Sequence, residues 1–403
     1  MQKLFAPSDQ FAVNKNNGLD LWLVKSVSSE TVEGVGGAGV DTGRRPVTCL
    51  RSLKYLLLAS DESVQGVFSG YTRLSKHIPE SQLFHETRTN NQSIGERGLV
   101  KMLDTFSGSS WYRLASLKLE YRTWRAMQSG FSGLIHLMWA ERDWGYIDQL
   151  PIDRWNAALC GTFHSPPDTL PDVVNAPKRL KNFAAVILMS EVQRPFFESA
   201  GVPRDRIHVV HHGIECDFFS PSRTNRKGRF TAIFVGNYRR NFDLLARICS
   251  LLEPHEDIEV RIVAPKSRTA GFAGRKNVRA SSGLSDVELR DAYRESSCLL
   301  LTLETATANN AILEAMSCGL PIVAEDVGGV GEYTGPNSAI LCQPGSAEEI
   351  VGAILRLYQD ADMRRRMGEA ARARAESLDW SKVGKRTVAV YEEVLAKRID
   401  VRS

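Results

Sequence analysis

The chain has 403 residues, of which 43% are hydrophobic and 24% are charged, and its formal net charge at pH 7 is +4. The length predicts two domains of ordinary globular composition. The small net charge does not indicate a dedicated nucleic-acid binder, although it leaves a local basic face open, so we expect no nucleic-acid partner. No stretch is long and apolar enough to span a bilayer, and the amino terminus lacks the apolar core of a signal peptide, so we expect a cytoplasmic protein, with peripheral contact at the inner face of a membrane left open.

Cysteine and histidine positions argue against a disulfide framework or a metal site. The seven cysteines are scattered, mostly within apolar runs, and none forms a CxxC pair. This distribution predicts small buried side chains in a reducing compartment. His211 and His212 have no acidic or cysteine partner at ligand spacing, so we expect neither a metal ion nor another cofactor.

The first ordered element is predicted after a long polar extension. Residues 1–48 include a stretch rich in Gly, Ser and Thr, which predicts an N-terminal extension, partly flexible, outside the core. Residues 53–59 are apolar and predict the first strand of an α/β domain, and a turn that contains Gly70 comes after it. A glycine turn after a first strand favours a ligand at the carboxyl end of that strand.

A basic and aromatic helix is predicted over residues 111–128. Leu114, Leu117, Tyr121 and Trp124 recur at spacings of three and four residues, which predicts that they line one face. We expect this face to pack on the core and the basic residues to face solvent. A helix that lies on a membrane surface or meets a lipid acceptor is the second interpretation.

Further apolar runs in the first half predict strands, at residues 134–139, 158–164, 183–190 and 207–214. One of these runs ends in His164, just before a Ser-Pro-Pro turn. A histidine at the carboxyl end of a strand lies where α/β sheets bind ligands. A structural histidine that is hydrogen-bonded to loop backbone is the alternative. His136 falls inside a strand, and we expect it to be a core histidine with its hydrogen bonds satisfied.

A polar, basic linker at residues 224–229 predicts the boundary between a first domain, residues 49–222, and a second domain, residues 223–403. Within the second domain, Ser285 begins a capping box that predicts a helix start. Residues 360–362 spell DxD, and we interpret them as a turn and helix cap.

The second domain begins with a predicted strand followed by Gly236, Arg239 and Arg240. A glycine after a strand, followed by two arginines, suits the neutralisation of a phosphate. A surface basic pair is the alternative. Lys266 follows the next predicted strand and is expected to be a secondary contact to phosphate or base.

The clearest motif lies at residues 298–332. An apolar run over residues 298–303 predicts a buried strand, and residues 310–318 predict a helix that Gly319 ends. A helix that starts just after a strand presents unpaired N–H groups and the positive end of its dipole, so this unit predicts an anion site. Glu314 lies one turn into the helix, where it suits a ribose diol; a solvated or capping acid is the alternative.

Residues 313–324, which read LEAMSCGLPIVA, resemble the C-terminal signature of the retaining, family-four glycosyltransferases of the GT-B fold. The resemblance aligns the family's second glutamate with Glu314 and implies that Glu314 holds the nucleotide ribose. The family's first glutamate, which contacts the donor sugar, falls at Ala306, so donor recognition departs from the pattern. Glu304 or Thr305 could replace it from a shifted loop.

The resemblance also implies the architecture and the activity. It implies an α/β protein with two doubly wound Rossmann-like domains that face each other across a cleft, and a C-terminal helix that crosses back onto the first domain. It implies the transfer of a hexose-type sugar from a nucleotide-diphosphate donor to a glycan or lipid-linked acceptor, as in polysaccharide biosynthesis. The anomeric configuration would be retained, and no metal would be needed.

The same resemblance assigns roles to the residues singled out above. Arg239 or Arg240 and the loop amides would carry the leaving diphosphate, these amides being those of Thr307, Ala308, Asn309 and Asn310. His164 would face the sugar or the acceptor, and the Gly70 turn would lie under the donor phosphates. Two rival functions stay open: a sugar phosphorylase or nucleotide-sugar epimerase on the same fold, and a non-catalytic relative that binds nucleotide or glycan.

Overall fold

The computed structural model describes residues 53–61, 68–88, 107–222 and 228–400. The predicted N-terminal extension, Cys49 and most of the predicted linker at 224–229 lie outside the described residues. The described ranges all fall within Val47–Ser403, which folds as one compact unit.

The first half of the chain forms a parallel sheet of six strands in the order β2-β1-β3-β4-β5-β6. These strands are Tyr55–Asp61 (β1), Ser81–Thr87 (β2), Gly133–Leu137 (β3), Ala157–Phe163 (β4), Ala185–Leu188 (β5) and Ile207–Val209 (β6). Leu57 of β1 pairs with Leu83 of β2 on one side and with His136 of β3 on the other. The apolar runs predict five of these strands, because central strands of a parallel sheet are buried on both faces. The edge strand β2 is not predicted, since its residues are exposed or partly exposed apart from Phe84, which is buried.

Short helices connect these strands. The α-helices are Leu114–Gln128 (α1), Ala140–Asp143 (α2), Leu170–Val173 (α3) and Arg194–Ser199 (α4). The 3-10 helices are Tyr71–His77, Ile147–Gln149, Ile152–Trp155, Pro177–Asn182, Glu191–Gln193 and Arg204–Arg206.

The helix α1 turns a different face to the sheet from the predicted one. Leu114, Leu117 and Trp124 are only partly buried, and Tyr121 is 55% exposed. The buried side chains are smaller or lie between the predicted ones: Ala115, Ser116, Leu119, Glu120, Thr123, Ala126 and Met127. The prediction of the buried face is therefore wrong, because the helix packs on β1 and β2 through small residues that allow close approach.

The second half forms another parallel sheet of six strands in the order β12-β11-β10-β7-β8-β9. Its strands are Phe230–Val235 (β7), Ile258–Val263 (β8), Val278–Ser281 (β9), Cys298–Leu301 (β10), Ile322–Glu325 (β11) and Ala339–Cys342 (β12). Its helices are Phe242–Leu252 (α5), Lys266–Thr269 (α6), Asp286–Glu295 (α7), Asn310–Ser317 (α8), Val330–Thr334 (α9), Ala347–Gln359 (α10) and Ala361–Ser377 (α11), with a 3-10 helix at Ala270–Phe272.

Several predicted helix ends are confirmed. Ser285 and Glu288 form the capping box of α7. Asp360 accepts a hydrogen bond of 2.7 Å from the Met363 amide, so residues 360–362 begin a helix, as predicted. Gly319 ends α8 with a φ of +73°, which a residue with a Cβ adopts only under strain. The six cysteines among the described residues are buried, as expected.

The last helix, Trp380–Asp400 (α12), crosses back onto the first sheet, as the resemblance implies. The Tyr391 hydroxyl lies 2.5 Å from Nδ1 of His136, and the hydroxyl of Thr162 lies 2.7 Å from Nε2. His136 is therefore a core histidine with both ring nitrogens satisfied, as predicted. Trp380 at the start of the helix packs against Tyr71 and closes the apolar layer under the first sheet.

Candidate functional site

The anion-binding unit forms where β10 leads into α8. Asn309 caps the helix: its Oδ1 accepts a hydrogen bond of 3.3 Å from the Ile312 amide. Because β10 is central and parallel, the first turn of α8 lies at the carboxyl edge of the second sheet, where α/β proteins bind ligands.

Glu314 of α8 is 4% exposed. Its Oε2 accepts a hydrogen bond of 2.9 Å from the Tyr293 hydroxyl on α7, and the side chain of Ser69 also hydrogen-bonds to it. Burial raises the pKa of Glu314 to about 7. The carboxyl group therefore changes charge near neutral pH, and it lies between the two halves of the chain.

Arg240 brings a positive charge to the head of α8. Its Nε donates 3.1 Å to the Val235 carbonyl, and its Nη2 lies 3.4 Å from Oδ1 of Asn309. The guanidinium rests on Gly236, whose φ is +99° and whose missing Cβ leaves the space for it. Burial lowers the pKa of Arg240 to about 10, so the group stays cationic at neutral pH.

Arg239 faces a different set of groups. Its Nη2 donates 2.8 Å to the Thr169 hydroxyl, and its Nη1 lies 3.3 Å from Asp168 and 3.8 Å from Glu304. Arg239 also has a φ of +53°, which is rare for a residue with a Cβ. The two adjacent arginines therefore differ: Arg240 faces the helix terminus, and Arg239 bridges to the first half of the chain.

The loop before α8 also contacts the first half. The Thr307 hydroxyl donates 2.5 Å to the carbonyl of His164, and Nδ2 of Asn310 donates 3.1 Å to the carbonyl of Ser69, next to Gly70. Ala308 packs against the apolar cluster under the first sheet. The predicted Gly70 turn, His164 and the loop at 307–310 thus meet in one place.

His164 lies in an aromatic setting at the end of β4. Its ring stacks on Trp139 with ring centroids 3.7 Å apart. The ring of Tyr71 meets it edge-on, with ring centroids 4.6 Å apart. Burial lowers the pKa of His164, and the neighbouring Glu141 partly opposes this effect. The imidazole is therefore neutral at pH 7.

Lys266 has no described contact with the other predicted site residues. It is exposed at the start of α6, after β8. Among the hydrogen bonds and ion pairs of the described ranges, none joins its side chain to another predicted site residue. Its assignment stays a prediction from the sequence.

Ala306, which stands where the family has its first glutamate, is buried. Ala306 is 7% exposed, and its carbonyl accepts a hydrogen bond of 2.8 Å from the Gly329 amide. A Cβ on Gly328 would overlap that same carbonyl, so the Gly-Gly turn packs directly on this position. Glu304 is the acid from the same loop that remains open to solvent, with a side chain 54% exposed.

A second set of contacts joins the halves beside the site. Glu332 of α9 accepts a hydrogen bond of 2.7 Å from the Ser190 hydroxyl. The Tyr333 hydroxyl donates 2.8 Å to the Met189 carbonyl and accepts 2.8 Å from the His212 amide.

Several of these partners are not predicted from the sequence. Ser69 precedes Gly70, and Asp168 follows the proline turn after His164, so proximity along the chain was an available signal for both. Tyr293 could not be found in this way, because no residue near it in the sequence was predicted to bind a ligand.

The described residues contain no group of three or more His, Cys, Asp or Glu side chains that could hold a metal ion. Over the same residues, no helix combines the length and the apolar character that crossing a membrane requires.

A family model matches a segment in the second half of the chain. Residues 217–374 match the model described as Glycosyl transferases group 1. The match includes Arg239, Arg240 and the unit of β10 and α8.

Curated relatives of the chain are named as glycosyltransferases. An MMP alpha-(1->4)-mannosyltransferase of Mycolicibacterium hassiacum is 31% identical over 209 residues, 49% of this chain and 50% of that protein. A D-inositol 3-phosphate glycosyltransferase of Paenarthrobacter aurescens is 27% identical over 220 residues, 49% of this chain and 54% of that protein. The chain therefore spans about half the length of these relatives.

Solved structures extend the likeness to both halves. HepE of Anabaena in complex with UDP has a TM-score of 0.63 at 14% identity, covering 85% of this chain and 100% of that one. Sucrose-phosphate synthase of Thermosynechococcus elongatus has a TM-score of 0.66 at 15% identity, covering 86% and 100%. At such identities the likeness concerns the fold, and it confirms the GT-B architecture that the resemblance implied.

Proposed function

We propose that the chain is a cytoplasmic glycosyltransferase that moves a hexose-type sugar from a nucleotide-diphosphate donor to a glycan or lipid-linked acceptor. The observation that carries this proposal is the convergence of Arg240, the amino end of α8 and the buried Glu314 at the carboxyl edge of one sheet. A cation, a set of amides and a carboxylate in this order suit a diphosphate followed by a ribose.

Charge stabilisation explains how this arrangement would accelerate transfer. As the bond between sugar and phosphate breaks, negative charge grows on the departing diphosphate. Donors already aimed at that charge lower the barrier, because they need no reorganisation during the reaction. Arg240 and the α8 amides would supply this stabilisation without a metal ion. We assign retention of configuration from the family alone, with the departing phosphate oxygen taking the acceptor's proton.

The relatives support a nucleotide-sugar donor. The HepE structures include complexes with UDP and with UDP-glucose, and one curated relative is named as a mannosyltransferase. These names suggest the donors to test first, and they favour a hexose over other groups.

The decisive experiment combines binding and turnover on the purified protein. UDP, GDP and ADP are screened by thermal shift, and the matching glucose and mannose donors are then tested for release of nucleoside diphosphate, with and without EDTA. We expect one nucleotide to stabilise the protein and its sugar to be turned over equally well in EDTA. Failure of every nucleoside diphosphate to bind would overturn the proposal.

A second candidate is a relative that binds nucleotide or glycan without turnover. The residue at the position of the family's first acid favours it, because Ala306 offers no carboxylate and is buried under the Gly328-Gly329 turn. Nucleotide binding without turnover of any donor, across a panel of acceptors, would support this candidate. Turnover that falls in Glu304→Gln would instead support Glu304 as the replacement acid.

The exposed side chains of α1 support peripheral contact with a membrane. Tyr121 is exposed and Trp124 is partly buried against the core, with their ring centroids 5.8 Å apart, and Lys118 and Arg125 of the same helix are exposed. Aromatic and basic side chains on one outer face suit an anionic membrane surface. We expect co-sedimentation with anionic vesicles that weakens in salt and in Tyr121→Ser. Equal sedimentation of the variant would contradict this role for α1.

A further inference from the structure

Glu141 is a buried carboxylate that the group 1 signature does not include. It lies in the short helix α2, directly after β3, and is 0% exposed. Its Oε1 accepts hydrogen bonds from the His164 amide at 2.5 Å, from the Ser165 amide at 2.7 Å and from the Ser165 hydroxyl at 3.1 Å. One carboxylate oxygen therefore holds the turn at the end of β4, in which His164 lies.

The second oxygen of Glu141 faces the imidazole of His164. Oε2 lies 3.8 Å from Nδ1, and neither atom has a hydrogen-bond partner among the described residues. Nε2 of His164 and Nε1 of the stacked Trp139 are likewise buried without a partner. Buried polar atoms normally have partners, so a group of such atoms in one cluster indicates a site for a polar ligand.

We infer that Glu141 is a positioning residue: it holds His164 in the tautomer with hydrogen on Nδ1 and so leaves Nε2 as a hydrogen-bond acceptor for a hydroxyl group of the sugar or the acceptor. The identity of that ligand rests on the proposed function. The tautomer and its dependence on Glu141 do not.

Electrostatics favours this tautomer. An Nδ1 lone pair that faces a carboxylate oxygen is repelled, whereas an N–H that faces it is attracted, and burial strengthens both effects. Burial alone would raise the pKa of Glu141, but its interactions with His164 hold that pKa below its ordinary value, so the carboxylate stays charged. The orientation of the ring is fixed as well, because Trp139 covers one face of it.

The other groups that face His164 do not replace Glu141. The Tyr71 ring meets the imidazole edge-on, and the Tyr71 hydroxyl lies 3.2 Å from that of Thr162. His136 and His212 interact with His164 electrostatically, but burial lowers the pKa of each to about 3, so both are neutral at pH 7. Arg142 lies over the Trp139 ring and opposes protonation of His164. Glu141 is therefore the negative charge that sets the state of this imidazole.

Nitrogen-15 NMR of the histidine rings in the intact protein tests the inference without any assay of activity. The His164 signals are assigned by their loss in His164→Gln. We expect the wild-type ring to be protonated at Nδ1 when neutral. In Glu141→Gln we expect a mixed tautomer and a His164 pKa that is lower by about one unit or more, because an opposite charge at short range is removed.

Glu120→Gln is the matched control. Glu120 is also a buried carboxylate that accepts backbone hydrogen bonds in the first half, from the Gly145, Tyr146 and Ile147 amides at 2.9 to 3.1 Å. Its loss should weaken folding without changing the tautomer or the pKa of His164. A wild-type His164 protonated at Nε2, or equal spectra in Glu141→Gln and Glu120→Gln, would overturn the inference, and the first of these outcomes needs no folded variant.

A pH profile of turnover then connects the tautomer to function. If the protein is active, the acidic limb should move to lower pH in Glu141→Gln, because His164 then loses its acceptor role only at lower pH. An unmoved limb would refute the role of Glu141 in turnover. Inactivity of the wild-type protein would contradict the proposed function instead, and the NMR result would still decide the tautomer.

Discussion

The Tyr293 hydroxyl donates a hydrogen bond of 2.9 Å to Oε2 of Glu314, joining two helices that precede and follow β10. Glu314 is thus held in place by the fold itself, by Tyr293 and by the side chain of Ser69. The sequence places Glu314 in a signature and gives no indication of Tyr293. The pair therefore shows how the fold turns a motif residue into a positioned group.

We expect Glu314 to make the stability of the protein depend on pH. Because burial raises its pKa to about 7 from the ordinary 4.5, the folded state binds a proton between these values that the unfolded state does not. Stability from this group is thus greatest below pH 4.5 and is lost as the pH rises through 7, by up to about 3 kcal/mol. Urea unfolding at several pH values measures this dependence. The unfolding free energy of Glu314→Gln should change less with pH than that of the wild type.

The exposed Glu348→Gln is the control for that experiment. Glu348 lies on the surface beside Arg247. The unfolding free energy of Glu348→Gln should therefore depend on pH as that of the wild type does. Glu120 also has a pKa raised by burial to about 7, so part of the slope will remain in Glu314→Gln. A slope identical to the wild type in Glu314→Gln would contradict the assigned pKa.

Nucleotide binding should depend on the same carboxylate. Glu314→Ala removes an ionised acceptor for the ribose hydroxyls and should weaken binding of the nucleoside diphosphate about 10- to 100-fold, which is the usual loss for a hydrogen bond to a charged group. Calorimetric titration measures this directly. Binding should also strengthen as the pH rises through 7, because the charged form is the better acceptor. A pH-independent affinity would argue for a purely structural role.

Arg239→Ala and Arg240→Ala should have unequal effects on turnover. Arg240 faces Asn309 at the head of α8, so its loss should lower kcat about 100-fold, as for other groups that stabilise a developing anion. Arg239 contacts Thr169 and Asp168 instead, so its loss should change kcat much less. Steady-state kinetics on both variants checks this, and equal losses would show that Arg239 also reaches the phosphate.

The backbone at Arg239 permits a separate prediction. With a φ of +53°, this residue is in the left-handed region, which costs a residue with a Cβ about 1 kcal/mol relative to glycine. Arg239→Gly should therefore be more stable than Arg239→Ala by about that amount, although both lose the same side-chain contacts. Urea unfolding of the two variants compares them directly. The opposite order would mean that this turn relaxes when the arginine is removed.

The sequence predicts the central strands and the motif, and it misses features that depend on distant partners. β10 and β7 are continuous apolar runs because both faces are buried. The edge strands β2 and β9 lack such runs, since one face or more is partly exposed, and they are not predicted. The edge strand β12 is not predicted either, although its four residues, AILC, are apolar. No local pattern could pair Arg239 with Thr169, which lies 70 residues earlier along the chain.

The helix α1 shows the same limit in a different form. Periodicity correctly predicts a helix, but it selects the large residues as the buried face. In the structure the helix packs closely on β1 and β2, and its buried face contains small residues such as Ala115 and Ala126. A pattern of hydrophobicity contains no information about the distance between packed elements.

Tyr333→Phe should weaken the junction between the halves. The Tyr333 hydroxyl donates to the Met189 carbonyl and accepts from the His212 amide, both at 2.8 Å, so phenylalanine leaves two buried backbone groups unpaired. The cost should be about 1–3 kcal/mol of unfolding free energy, because each group loses its partner without gaining water. The ring contact with His211 stays, so the change isolates the hydroxyl.

Tyr358→Phe, which removes an exposed hydroxyl beside Asp257, is the control and should change stability by less than about 0.5 kcal/mol. Equal losses in the two variants would show that the Tyr333 hydroxyl does not stabilise the junction.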